Sequence, residues 1–242
     1  MLLPIRLLLL SLVVIGVTFF GLIACLLTLW SNNRVYYIAK VFSAVAPFFG
    51  LQVESRISPL SAHSPQAVYV ANHQNNFDLF TIAKVLPKQF VAIGKPSLLF
   101  IPFFGMLYWV SGNIIINRNN SKKAIATIDQ VVASMKKNKT SILMFPEGTR
   151  SRGRGWLPFK RGAFHAAIQA GVPIVPIVCS STHQQVNLNR WNNGKVIVEI
   201  LDPIDTSHFN DDSVVELLET CEKAMHDTQA RLDKKLKQES PL

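Results

Sequence analysis

Cysteine is scarce in this chain of 242 residues: Cys25, Cys179 and Cys221 are the 3 present, and no two lie close together. That spacing excludes a disulfide framework and a thiolate metal site of the C-x2-C kind. None of the 6 histidines falls in an H-x3-H or H-E-x2-H pattern, so no metal site is indicated. A G-x-S-x-G elbow is also missing, which removes the usual strand-to-helix serine nucleophile. No internal repeat or low-complexity linker interrupts the chain. Acidic residues are few, 15 against 25 basic ones, giving a formal charge of +10 and a pI near 9.7. Such a balance favours an anionic partner, either nucleic acid or an acidic membrane surface. No homeodomain, zinc-finger or RNA-binding signature accompanies it. Arg152-Gly153-Arg154-Gly155 has the look of an RNA-binding arginine–glycine loop, in one short copy only.

Charge is absent altogether from Leu7 to Trp30, a run long enough to cross a hydrocarbon core as a helix. A second apolar segment, Val35 to Leu51, carries Lys40 as its one charge. The readings open for this N-terminus are a transmembrane anchor and a pair of helices lying in one leaflet. The flanking cations, Arg6 before the run and Arg34 and Lys40 after it, are too balanced to set an orientation. Leu22-Ile23-Ala24-Cys25 also has the form of a lipoprotein cleavage box, but the apolar run continues through Trp30, whereas a mature lipoprotein usually begins polar. Joined to a membrane segment, the basic charge is suited to gathering acidic lipid and a phosphorylated ligand rather than nucleic acid.

Beyond the anchor the chain alternates. Strand-like runs recur at Ala67–Ala71, Phe90–Ile93, Asn113–Asn117, Ser141–Phe145, Val172–Val178 and Lys195–Leu201. Helical patterns fall between them at Phe77–Leu86, Leu98–Trp109, Lys122–Lys137 and Gly162–Ala170. This predicts an α/β domain whose central sheet, mostly parallel or mixed, is covered by helices. Ser121 is placed to cap the helix from Lys122, which carries Ile125, Ile128, Val132 and Met135 on one face. A last helix begins at a possible Ser213-x-x-Glu216 capping box and carries an apolar stripe from Val214 to Leu236. Leu98–Trp109 is apolar on all sides, which suits a buried core helix, a groove for an apolar chain or a membrane-dipping element. The Ser/Pro-rich stretch from Ser55 to Pro65 divides the chain into an anchor, residues 1–54, and a main α/β domain, 55–242.

Four short blocks carry chemistry. Asn72-His73-Gln74-Asn75-Asn76-Phe77-Asp78 sets an imidazole and a carboxylate five positions apart. On a helix that spacing turns roughly 500°, so the two would not share a face; in a strand-to-helix loop they can meet. An Asp on one ring nitrogen fixes the His tautomer and leaves the other nitrogen free to take a proton. Phe145-Pro146-Glu147-Gly148-Thr149-Arg150 follows an apolar strand, and open α/β sheets bind ligands at the carboxyl ends of their strands. Gly112 to Arg118 ends a further buried strand in an arginine. Val172 to Val178 is a strand punctuated by two prolines.

In this order and spacing, over about residues 65 to 180, the four blocks resemble the PlsC-type family of glycerophospholipid acyltransferases. Where that family often has Ser two residues after His, this chain has Asn75. The resemblance implies a glycerol-phosphate-acyltransferase-like α/β fold and transfer of an acyl chain to the free sn-2 hydroxyl of lysophosphatidate. The donor would be acyl-CoA or acyl-carrier protein, with no cofactor. It implies His73 as general base and Asp78 as its orienter. Lys95, Arg118, Glu147, Gly148, Thr149 and Arg150 would serve substrate binding: the two arginines and Lys95 on phosphate, Thr149 as a further donor to it, and Glu147 on an arginine or the glycerol hydroxyl. Backbone N–H groups around Gly148 are the natural first choice for the oxyanion. It also implies a membrane-associated protein that contacts anionic lipids, at a bacterial inner membrane with its catalytic domain on the cytoplasmic face. The rival readings are a His–Asp lipid hydrolase and a non-catalytic adaptor for anionic lipid or RNA.

Overall fold

The computed structural model describes residues 2–28, 31–62, 66–116 and 121–239, with the backbone alone for 121–127. Helix α1, Leu2–Leu27, is followed by α2, Arg34–Ser43, a 3-10 turn at Ala46–Phe49, and strand β1, Gln52–Ile57. A one-turn helix α3, Pro59–Ala62, precedes β2, Val68–Ala71, which leads into α4, Asp78–Thr81, and a 3-10 turn at Ile82–Lys84. Then come β3 (Phe90–Gly94), α5 (Phe104–Val110), β4 (Ile114–Ile115), α6 (Ser121–Asn138) and β5 (Ser141–Met144). The chain closes with α7 (Gly162–Ala170), β6 (Ile174–Cys179), β7 (Lys195–Ile200) and α8 (Val214–Glu239).

The strands form one 7-stranded sheet in the order β1-β7-β6-β2-β5-β3-β4. Every neighbouring pair is parallel except β6 with β7. The expected mostly parallel or mixed sheet is therefore a mixed one with a single reversal. β2 and β5 are buried along their whole length and sit centrally, as apolar runs of a two-face-covered parallel sheet do. Their carboxyl ends, with those of β3 and β4, open on the same edge. That edge receives the His73 and Glu147 loops.

One core lies between the sheet and α6, α7 and α8, where Ile128, Val131, Met135, Phe164, Leu217 and Met225 are enclosed. The stripe predicted for the last helix is the buried side of α8. Its cap differs: Ser213 Oγ accepts from the backbone N–H of Asn210 at 2.8 Å, so an Asx turn built on Asn210 precedes the helix. Ile125 and the capping side chain of Ser121 lie outside the described side chains. The second core covers the other face and takes in Val35, Ala39, Phe42, Ala46 and Phe49 from the N-terminal helices.

Two sequence expectations change here. β1 runs across the 54/55 boundary, pairing Gln52 to Ile57 with Lys195 to Ile200. Its Q-V-E-S-R-I pattern is too short and too polar to announce a strand. The charges suit an edge, where they discourage pairing with another chain. The Glu54 carboxyl is held down to about 2 by hydrogen bonds from Lys195 and then from Arg56. The helix expected over Leu98–Trp109 is broken: a 3-10 turn, Pro96–Phe100, is followed by a tight turn in which Phe104 N–H donates to Pro102 O at 2.7 Å. Phe103 sits there at φ +64°, a conformation that costs a non-glycine residue about 1–3 kcal/mol. Pro102 is the cause, since the residue before a proline is driven out of the helical region. Ile101 accordingly has φ −74° and ψ 117°.

Candidate active site

β2 delivers the first loop. Asn72, buried, turns its side-chain amide onto the end of β6, accepting from Cys179 N at 2.8 Å and donating to Cys179 O at 2.9 Å. Gln74, also buried, donates to Cys179 O and Ser180 O, and its Oε1 accepts from Thr182 N–H at 2.8 Å. These two amides replace the ladder that ends at Ala71 and fix the path of the chain on either side of His73. The loop then enters α4 at Asp78.

Asp78 folds back over its own loop. Its Oδ2 lies 2.7 Å from His73 Nδ1 and accepts the backbone N–H groups of Gln74 and Asn75 at 2.7 and 3.1 Å. The carboxylate is 3% exposed, whereas the His73 side chain keeps 19% of its surface in contact with solvent. With a carboxylate on Nδ1, that nitrogen carries the proton and Nε2 is left as the acceptor. The ring stacks on Phe145 at 4.1 Å between centroids and 23° between planes, which sets its orientation. Asn75, standing where Ser is the commoner choice, accepts from Phe77 N–H at 2.8 Å and donates to Thr182 Oγ1 at 2.7 Å. It supports the loop.

β5 delivers the second loop, which is laid directly on the first. Ser151 N–H donates to His73 O and Arg152 N–H to Gln74 O, at 2.8 and 3.0 Å. Glu147 is 4% exposed. Its Oε1 accepts the His73 backbone N–H at 2.7 Å and its Oε2 the Leu157 N–H at 3.4 Å. Its carboxyl is pushed up to about 7, chiefly by burial, against the pull of those two N–H groups, and the charge of Asp78 raises it further. Glu147 therefore spends its oxygens on the protein backbone, and among the described residues no arginine is ion-paired with it, though the charge of Arg154 acts on it from a distance. Gly148 turns the chain at φ +72° and donates its N–H to Phe145 O at 3.0 Å. That commits one of the N–H groups around Gly148 that were expected to face the oxyanion. Thr149 is exposed, and Arg150 is half-buried with its Nε unpartnered. Lys95 is exposed at the carboxyl end of β3, on the same edge of the sheet. Arg118 lies outside the described residues.

The structure thus brings His73, Asp78 and Glu147 into one bonded unit. Asn72, Gln74, Phe145 and Leu157, which the sequence reading did not mark as site residues, complete it. The signal for the amides was there in the residues flanking His73; the backbone role of Leu157 had none. A groove of about 660 Å³ between β1, β7 and α8 lies toward the opposite end of the sheet, and its Arg56, Glu199 and Arg231 already pair with one another.

A family described as Acyltransferase matches residues 52–180. Fold and match together define the class as an α/β acyltransferase. The 1-acyl-sn-glycerol-3-phosphate acyltransferase of Escherichia coli is 52% identical over 218 residues, covering 90% of this chain and 89% of its own. That of Haemophilus influenzae is 52% identical over 204 residues, covering 84% and 85%. The crystal structure of PlsC, a 1-acyl-sn-glycerophosphate acyltransferase of Thermotoga maritima, superposes with a TM-score of 0.74 at 21% identity, covering 96% of this chain and 94% of that one. The chain belongs to the PlsC-type family of 1-acyl-sn-glycerol-3-phosphate acyltransferases.

Proposed function

We propose that this protein moves an acyl group from a thioester donor, acyl-CoA or acyl-carrier protein, to the sn-2 hydroxyl of lysophosphatidate, forming phosphatidate for phospholipid synthesis. The observation that carries this reading is the His73 Nδ1–Asp78 Oδ2 contact of 2.7 Å beneath a ring left partly open. A glycerol hydroxyl is a poor nucleophile until its proton is removed. His73 Nε2 takes that proton as the oxygen attacks the thioester carbonyl, and Asp78 stabilises the charge arising on the ring. The tetrahedral intermediate collapses with cleavage of the carbon–sulfur bond. The departing thiolate recovers the proton from His73, so acceptor, donor and enzyme balance without a covalent enzyme intermediate.

Phosphate recognition falls to Arg150, Arg118 and Lys95, with Thr149 as a further donor. The unpartnered Arg150 Nε supports this role, since a guanidinium offers several donors in a fixed fork. Glu147 acts instead as a positioning residue: it ties the His73 backbone to the loop that carries Arg150. Gly148 shapes that loop.

The substrates explain the N-terminus. Helix α1, about 39 Å long at 1.5 Å per residue, presents Leu8, Leu12, Ile15 and Phe19 to the outside. Its other side rests on the catalytic domain through Leu10, Val14 and Val17. Gly21 approaches Leu107 of α5 so closely that an added Cβ would come within 2.9 Å of its Cδ1. A helix tied down along its length cannot cross a bilayer without drawing the domain in with it. We therefore read α1 as lying in one leaflet of an anionic membrane, the bacterial inner membrane, with the catalytic domain on the cytoplasmic face where the soluble donor is found. The deciding experiment is thiol release from acyl-CoA by purified protein. The reading expects release on adding lysophosphatidate and little with glycerol-3-phosphate; release with no acceptor, yielding free fatty acid, would make it a hydrolase.

A further inference from the structure

Arg6 is a cation in the first turns of a helix, where the helix dipole disfavours positive charge, and it is only 4% exposed. Its guanidinium is satisfied by the loop between β6 and β7. Nη1 donates to Leu188 O at 3.0 Å and Arg190 O at 2.6 Å, Nη2 donates to Trp191 O at 3.5 Å, and the group stands 6.0 Å from the centre of the Trp191 ring. From the other side the buried Asn193 donates to Phe49 O at 2.6 Å and Asn187 O at 3.1 Å, and accepts from Asn187 N–H at 2.8 Å. Gly50 lets this loop come close: a Cβ there would lie 2.1 Å from Trp191 O. Leu3 N–H adds a bond to Asn189 Oδ1 at 3.0 Å.

All this buried polar bonding holds rigid a loop whose apex is Trp191, 78% exposed, beside the exposed Arg190. A core role does not account for a large aromatic side chain left so open. The ring lies beside Arg6 near the start of α1, the helix whose Leu8, Leu12 and Ile15 are exposed. An exposed tryptophan beside an exposed arginine, held at the end of a helix whose apolar side chains face outward, suits the headgroup level of a bilayer whose acyl region receives those side chains. We infer that the 187–194 loop is a second membrane contact, seating Trp191 and Arg190 among anionic phospholipid headgroups while Arg6 holds the loop to α1. This inference rests on the single-leaflet reading of α1.

The test uses the full chain with vesicles of phosphatidylethanolamine and phosphatidylglycerol. The chain has 4 tryptophans, Trp30, Trp109, Trp156 and Trp191, so the emission of Trp191 is taken as the difference between the natural protein and Trp191→Ser. That difference spectrum shifts to the blue on adding vesicles and is quenched by lipids brominated near the headgroup end of the chain. Trp191→Ser weakens vesicle partition about tenfold, as expected for partial burial of a large ring. Arg6→Met, which keeps the tryptophan but frees the loop, reduces the shift. If the protein sediments with vesicles while the difference spectrum stays at its solvent position, unquenched, the inference is overturned and the α1 reading stands. If the natural protein fails to sediment, the α1 reading falls and this one with it.

Discussion

His73 and Asp78 face each other because the loop between β2 and α4 is pinned by the amides of Asn72 and Gln74, so each can be tested without dismantling the fold. His73→Ala should lower turnover by at least 10²–10⁴-fold, the usual share of a general base, while lysophosphatidate binding stays within a few-fold. Asp78→Asn keeps the shape but favours the wrong tautomer, and a loss of similar size is expected in kcat. Glu147→Gln isolates the positioning role. A glutamine has one acceptor oxygen where the carboxylate uses two, so either the His73 or the Leu157 N–H is orphaned. The expected result is a fall in kcat of tenfold or more with KM for lysophosphatidate little changed; a KM effect alone would return Glu147 to the substrate. Its ionisation gives a separate readout. A carboxyl whose folded-state pKa is raised to about 7 holds its proton longer folded than unfolded. Its contribution therefore lowers stability as pH rises from about 4.5 through 7, and levels off above that. Urea titrations should lose that slope in Glu147→Gln. The His–Asp pair was legible in the sequence because the five-residue spacing suits only a loop. Glu147 stood out in the sequence by its place after β5, but its contacts did not, since its partners are backbone N–H groups that any residue would offer.

At the scale of elements, the alternation of apolar runs and helical patterns was enough to place β2, β3, β5, β6, β7, α6, α7 and α8. What escaped were elements whose form is set by contacts. β1 is a strand because β7 offers it a ladder. The segment from Pro96 to Val110 is two pieces because Pro102 breaks it. The N-terminal helices were legible as apolar but not as part of the core. Removing residues 1–50 would strip Phe42 and Phe49 from the second core, and each loss alone is of the size that costs about 3–5 kcal/mol. Such a truncation is expected to aggregate rather than report on membrane binding. Substituting the outward face, Leu12→Ser with Phe19→Ser, removes apolar surface without touching the core. Vesicle flotation should then drop while thermal stability holds and activity on detergent-dispersed acceptor persists. A matching loss of stability would show that this face is packed rather than immersed.

At the scale of the whole molecule, the sheet carries the candidate site on one edge, and in the proposed reading the N-terminal helix binds the domain to the phase where acceptor and product reside. The formal charge of +10 adds an attraction to acidic headgroups of roughly 1 kcal/mol for each basic residue near the surface. Because such attraction is screened within about 8–10 Å at physiological ionic strength, raising salt should weaken vesicle binding but leave the apolar part of it. The central claim is that His73 activates the hydroxyl of the acceptor itself. Its most direct measurement follows labelled acyl-CoA in natural and His73→Ala protein, both shown folded and both binding lysophosphatidate. The natural protein should release one thiol for each phosphatidate formed, and His73→Ala should release neither above background; phosphatidate formed at a near-normal rate by His73→Ala would contradict the account.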